Sequence, residues 1–180
     1  MTSSFKIVLF FLLSIILFQP NSGFTQISQG GSPLGLQNRS ASIGEIPMRS
    51  FHSINHDSLR ALSLKEEEAG LPPRFGALRA TDANLRNSGQ WTELANGDRV
   101  WELRIKSDGA KSINLLYKEF YMPEGAKFFV YGANNGKVLG AFTNFNNKED
   151  GIFATGLIYD RKLYWNIMNQ KKKQILVKFS

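Results

Sequence analysis

The side chains of this chain that could do chemistry are few, and their spacing argues against most of the chemistry they suggest. There are two histidines, His52 and His56. Four residues apart on a helix, they would share one face, an arrangement that zinc sites sometimes use. Here they precede the helix predicted below, in a Ser/Asn-rich segment whose adjacent acid is Asp57, with no evident third ligand. They read as linker histidines. Glu66-Glu67-Glu68 reads as the solvated side of a helix. The pair Glu149-Asp150 falls in a polar turn and reads as a solvated loop, not as a general acid with its base. Lys171-Lys172-Lys173 could meet an acidic surface but reads as a basic chain end.

Nucleophilic chemistry fares no better. The chain has no cysteine, which excludes disulfides, thiolate metal sites and a Cys nucleophile. A Ser-His-Asp hydrolase needs a base histidine in a rigid scaffold and a serine on a strained turn. Neither histidine lies in the strand-rich region, and no G-x-S-x-G or G-D-S-G-G segment is present. There is also no Gly-rich loop running into Lys-Ser/Thr and no G-x-G-x-x-G to cradle phosphates. The sequence therefore assigns no catalytic, cofactor-binding or metal-ligating residue. It predicts a product that is not an enzyme and needs no cofactor.

The net charge of +7 is concentrated at one end. Residues 161–180 hold six of the 22 Lys and Arg residues (Arg161, Lys162, Lys171, Lys172, Lys173 and Lys178) and no acid. Residues 1–160 keep 16 basic against 15 acidic residues and are nearly neutral. Nothing in that body asks for a nucleic acid or an acidic membrane as partner.

The first 25 residues read as a secretory signal peptide. Lys6 gives a short positive start, residues 7–18 are apolar except for Ser14, and Gln19 to Gly23 break the run. Twelve helical residues rise about 18 Å, short of a bilayer core of about 30 Å. Cleavage is expected between Gly23 and Gln26. The expected location is secreted or periplasmic, with no membrane association beyond targeting.

Residues 26–56 read as an extended leader, punctuated by Gly30-Gly31-Ser32-Pro33 and Ile46-Pro47. Asn38-Arg39-Ser40 is formally a glycosylation sequon, read here as chance. Residues 57–88 hold one helix and a linker. Asp57 or Ser58 caps the helix, Leu59, Leu62, Leu64 and Ala69 follow at helical spacing, and Gly70 with Pro72-Pro73 stops it.

From Gln90 the period changes to two. A strand at 91–94 leads through Asn96-Gly97, a hairpin signal because both residues tolerate positive φ. In the return strand at 99–106, Trp101, Leu103 and Ile105 point one way and Glu102, Arg104 and Lys106 the other. Trp91 is expected near Trp101. Further strands are predicted at 113–122, 127–131, 138–142 and 152–158. The first of these carries apolar residues on both faces, which a bulge or two-sided burial explains. Six short strands with turns between them predict a mainly β fold: an antiparallel, jelly-roll-like β-sandwich over residues 89–160, preceded by one helix and the leader.

Three patches of the chain resemble the N-terminal pro-region of secreted lysyl-endopeptidase-like, trypsin-type serine proteases, especially those of Bacteroidetes-type bacteria. The first is Gly30-Gly31-Ser32-Pro33. The second joins Asn87-Ser88-Gly89-Gln90-Trp91 to Gly97-Asp98-Arg99-Val100-Trp101-Glu102-Leu103-Arg104-Ile105 and Ser112-Ile113-Asn114-Leu115. The third runs from Pro123-Glu124-Gly125-Ala126-Lys127-Phe128-Phe129-Val130-Tyr131 through Gly140-Ala141-Phe142-Thr143 and Asn146-Asn147-Lys148 to Asp150-Gly151-Ile152-Phe153-Ala154-Thr155. Together they span about residues 30–158. In similar proteins the pattern continues roughly as G-D-x-x-x-x-E-Y-Y-E-P before the protease domain. Here it does not. Read from the third base of each codon, however, Leu163 through Lys171 can encode Ile-Leu-Glu-Tyr-Tyr-Glu-Pro-Lys. The expectation is a frameshift near Asp160, with 161–180 an aberrant basic tail and the protease domain absent.

The resemblance implies a partner, a trypsin-like domain whose folding or latency the pro-region assists. It transfers no catalytic residue, because the triad of such proteases lies in the missing domain. The alternative reading is a stand-alone extracellular module that binds glycan or protein through exposed aromatics such as Tyr121, Tyr131 and Phe145.

Overall fold

The computed structural model describes residues 28–37, 45–134, 136–169 and 175–179. The expected signal peptide, the sequon at Asn38 and the lysines at 171–173 lie outside them. Two α-helices are present among the described residues, α1 (Leu34–Gln37) and α2 (His56–Glu68). Nine strands accompany them: β1 (Met48–Phe51), β2 (Gln90–Glu93), β3 (Arg99–Ser107), β4 (Leu116–Tyr121), β5 (Lys127–Gly132), β6 (Val138–Phe142), β7 (Phe153–Ala154), β8 (Lys162–Asn169) and β9 (Leu176–Phe179). No helix among the described residues is long and apolar enough to cross a membrane.

The strands form two sheets. The larger has the order β1-β3-β8-β5-β6, and β2 shares with β1 the second edge of β3. The smaller has the order β7-β4-β9. Every pairing is antiparallel except β1 with β3, which is parallel. The hairpin at Asn96-Gly97 forms as its chemistry demands. Gly97 takes φ 82°, and its N–H donates to the Leu94 carbonyl at 2.9 Å. Trp91 faces Trp101 in the β2–β3 register.

The sheets pack face to face through aromatic side chains. Trp101, Leu103 and Ile105 of β3 are all buried, as their alternation requires. From the smaller sheet, Tyr117 reaches Phe128 and Trp165 of the larger, with ring centroids 5.7 and 5.6 Å apart. Phe142 meets Phe153 edge-on at 4.9 Å. The apolar area removed from water drives this packing, and each aromatic pair adds about 0.5–1.5 kcal/mol. Burial pushes the Tyr117 hydroxyl well above its usual pKa. The β4 ladder shifts register between Tyr117 and Glu119, so the two-faced pattern of that strand is a bulge.

The expectation of a tail beyond the sandwich gives way here. Residues 162–169 are β8, an interior strand paired along its length with β3 and with β5. Leu163, Trp165 and Ile167 alternate on its inner face and are buried. Residues 176–179 form β9, the edge partner of β4, with Val177 buried. Period-two alternation of large apolar side chains suffices to place a strand, and the basic residues sit at its exposed start.

Four smaller expectations also change. The N-cap of α2 is Asn55, whose side chain accepts from the N–H groups of Asp57 and Ser58 at 3.0 Å each. No residue of α2 is buried, so Leu59, Leu62 and Leu64 form no core-facing stripe. The segment predicted as a strand over 152–158 is regular only at β7 and adds a single bridge between Ile158 and Ile113. Part of the predicted extended leader is packed. Gln29 N–H donates to Ala141 at 3.0 Å, and Ala141 N–H donates back to Gly30 at 3.1 Å. This segment lines the free edge of β6, and α1 then crosses the outer face of the larger sheet.

Candidate functional site

The residues first weighed for chemistry do not converge. His56 opens α2, and its Nε2 lies 3.1 Å from the Gly109 carbonyl oxygen. His52 is exposed. It lies near Asp108, whose carboxyl is held below its usual range by a hydrogen bond from Lys106, with the charges of Lys106, Arg161 and His52 adding to it. Glu66 pairs with Arg74, whose Nε donates at 2.9 Å, and that bond lowers the Glu66 carboxyl in turn. Glu67 and Glu68 are exposed, as are Glu149 and Asp150. Asp150 caps the backbone N–H of Ile152 at 2.9 Å. Among the described residues, no group of three or more His, Asp or Glu side chains is placed to hold a metal ion.

An open cleft of about 380 Å³ is lined by Gly109, Ala110, Lys111, Asn134, Tyr159, Asp160 and Arg161. Asp160, one of these lining residues, is buried. Its carboxylate accepts from Asn134 N–H at 2.8 Å, Asn134 Nδ2 at 2.9 Å and Lys162 N–H at 3.1 Å. Burial would raise this carboxyl. The hydrogen bonds from Asn134, Lys162 and Arg161 outweigh it and hold the group below its ordinary value. Asp160 therefore acts as a backbone anchor that ties the β5–β6 turn to the start of β8. The Tyr159 ring, also in the lining, is 67% exposed, with the Lys137 ammonium 5.7 Å from its centroid.

The outer face of the smaller sheet is apolar in part. Leu116 and Tyr121 of β4 and Ile152 beside β7 are exposed. Between Leu116 and Tyr121, Glu119 and Lys178 form an ion pair at 2.7 Å across β4 and β9. Phe145 is exposed on the 3-10 turn Asn144–Asn146. Asn147 ties that turn to the end of β4 by two 2.8 Å bonds with the Met122 backbone.

Of the three aromatics expected at the surface, Tyr121 and Phe145 are there and Tyr131 is not. Tyr131 is 2% exposed, stacked on Tyr164 with centroids 5.2 Å apart and approached by Gly35 of α1. The leader and β8 together cover it. Tyr159, which sequence reasoning did not single out, is the more exposed ring; its placement depends on the Ile158 bridge, which no local signal announces.

On that same outer face of the larger sheet, Asn166 of β8 lies opposite Glu102 of β3, and its Nδ2 donates to Glu102 Oε1 at 3.2 Å. Burial pushes the Glu102 carboxyl up, and the Asn166 bond offsets this in part. No protein-family model matches the chain, and no solved structure matches it.

Proposed function

We propose that this chain is a non-catalytic, secreted β-sandwich of the kind that forms the pro-region of lysine-specific, trypsin-type serine proteases. In this reading it packs against a protease domain and assists its folding or keeps it latent. The observation that carries the proposal is the order and spacing of the three sequence patches over about residues 30–158. The exposed apolar set Leu116, Tyr121 and Ile152 on the smaller sheet supports it, because docking needs a face of that character. The frame change near Asp160 belongs to the same proposal. Sequencing the gene tests it: the third-base frame from Leu163 reads Ile-Leu-Glu-Tyr-Tyr-Glu-Pro-Lys and continues into a trypsin-type domain. A frame that closes at once, or encodes something else, contradicts it.

A second reading is a stand-alone module that binds glycan. What favours it is the Tyr159 ring beside Asn134, Asp160 and Arg161 in an open cleft, because sugars stack on exposed rings flanked by planar polar groups. Retention of the purified chain on immobilised polysaccharide, lost in Tyr159→Ala, would support this reading over the first.

A further inference from the structure

The outer face of the larger sheet is closed by a short Gly-rich segment. Residues 28–37 are Ser-Gln-Gly-Gly-Ser-Pro-Leu-Gly-Leu-Gln. Their attachments include the two backbone bonds to Ala141, a bond from Ser28 Oγ to the Gly140 carbonyl, and the packing of α1 on β8. Pro33 is buried, while Leu34 and Leu36 are only half-buried. Under this segment lie Phe129 and Tyr131, both buried although they face away from the core between the sheets.

Closure depends on a glycine. A Cβ at position 35 would stand 2.5 Å from the Tyr131 hydroxyl and 2.7 Å from Glu102 Oε1, closer than packed atoms approach. Gly35 thus lets the backbone lie directly on the polar trio Glu102, Asn166 and Tyr131, one side chain from each of β3, β8 and β5. Closure also has a cost. Asn166 has no exposed surface, and its Oδ1 accepts no hydrogen bond among the described residues. An unmet buried acceptor of this kind favours any state in which water reaches it.

Glu102 carries the other cost. Its cross-strand neighbours Gln90 and Asn166 are neutral, and Gly35 offers no side chain. Arg104, two residues along β3, is engaged by the Ile46 carbonyl at 2.9 Å and by Glu45 at 3.3 Å. On this side β5 carries Lys127 and Tyr131 and β8 carries Lys162 and Tyr164, both lysines exposed, while Lys106 of β3 pairs with Asp108 at 2.9 Å. Glu102 is half-buried, and the 3.2 Å hydrogen bond from Asn166 Nδ2 offsets the cost of burying its carboxylate only in part.

We propose that Ser28–Gln37 is a pH-sensitive strap, seated on the sheet while Glu102 is protonated and released as Glu102 ionises. The sign follows from burial. The closed form holds the Glu102 proton more tightly than the open form, so closure is favoured below the ordinary carboxyl value of 4.5. That advantage is lost as pH rises through the higher value of the closed state. Release uncovers Phe129 and Tyr131 and frees the β6 edge at Ala141.

Hydrogen exchange on the full chain tests this, followed from about pH 4 to about pH 8, the range that buried carboxyls span, and corrected for intrinsic exchange. Protection of the Gln29 and Ala141 amides falls with rising pH, while amides of β3 and β8 stay protected throughout. Glu102→Gln, which imitates the protonated acid, keeps the strap amides protected across the range. Gly35→Ala loses that protection at every pH with β3 and β8 unchanged. Wild-type strap protection that does not vary with pH, or a Glu102→Gln variant that keeps the wild-type slope, overturns the proposal.

Discussion

Trp165 packs against Trp101 from the neighbouring strand, with ring centroids 5.6 Å apart, in the middle of the core between the two sheets. Tyr117 approaches the same Trp165 ring from the opposite sheet. The segment after Asp160 therefore supplies a central part of the core, with β8 joining β3 to β5.

The first prediction concerns that segment. Trp165→Ala removes a fully buried indole and destabilises the protein by about 3–5 kcal/mol. A chain ending at Asp160 lacks β8 and β9, separates β3 from β5, and loses its cooperative transition. Thermal melts followed by near-UV circular dichroism check both. A 1–160 fragment that melts like the full chain would show that the sandwich does not need these strands.

Helix α2 gives the converse case. Leu62 is 44% exposed on a helix with no buried residue, so Leu62→Ser changes stability by no more than about 0.5 kcal/mol. Phe128→Ala, in contact with Tyr117, Phe120, Phe142 and Trp165, costs about 3–5 kcal/mol. Urea titrations of the two variants measure the contrast.

Asp160 sets an acid limit. Its folded-state carboxyl lies below its ordinary value, so its contribution is complete above the unfolded value and is lost as pH falls through the folded one. The expected window lies between about pH 5 and about pH 2. Asp160→Ala leaves the Asn134 and Lys162 N–H groups without this acceptor and lowers stability at neutral pH by about 1–2 kcal/mol. The difference from wild type shrinks toward the acid end. A constant difference over that window would mean that the carboxylate charge does not matter there.

Much of the architecture was legible in the sequence, for reasons visible in particular residues. Trp101, Leu103 and Ile105 alternate without interruption, and Asn96-Gly97 can form few turns other than a tight one. The unbroken run Phe128-Phe129-Val130-Tyr131 also carried information, because a strand apolar on both faces must be covered on both. What covers the second face was illegible. Residues 28–37 have the composition of a linker, and nothing local says that Gly35 will lie on Tyr131. The role of β8 was obscured for a different reason. Leu163, Trp165 and Ile167 carry a clear period of two, but buried Asn166 and Asn169 interrupt the apolar pattern and the flanking lysines suggest a solvated end. The exposed face of the smaller sheet was half legible: Tyr121 was singled out, whereas Leu116 and Ile152 were read only as strand residues.

That face yields the fourth prediction. Leu116→Glu combined with Tyr121→Lys replaces two exposed side chains, so the melting temperature stays close to that of wild type. The same double variant loses any effect of the chain on a trypsin-type domain. Size-exclusion chromatography of the mixture, with wild type and variant side by side, reads the loss of complex.

The central claim is tested most directly by refolding an unfolded, lysine-specific trypsin-type domain in the presence of the purified full chain and measuring cleavage after lysine. The account predicts that wild-type chain either raises the recovered activity or holds the folded enzyme inactive, and that the Leu116→Glu, Tyr121→Lys variant does neither. Identical recovery and identical rates with and without the chain would contradict it, as would lysine-specific cleavage by the chain alone that a serine-directed inhibitor abolishes.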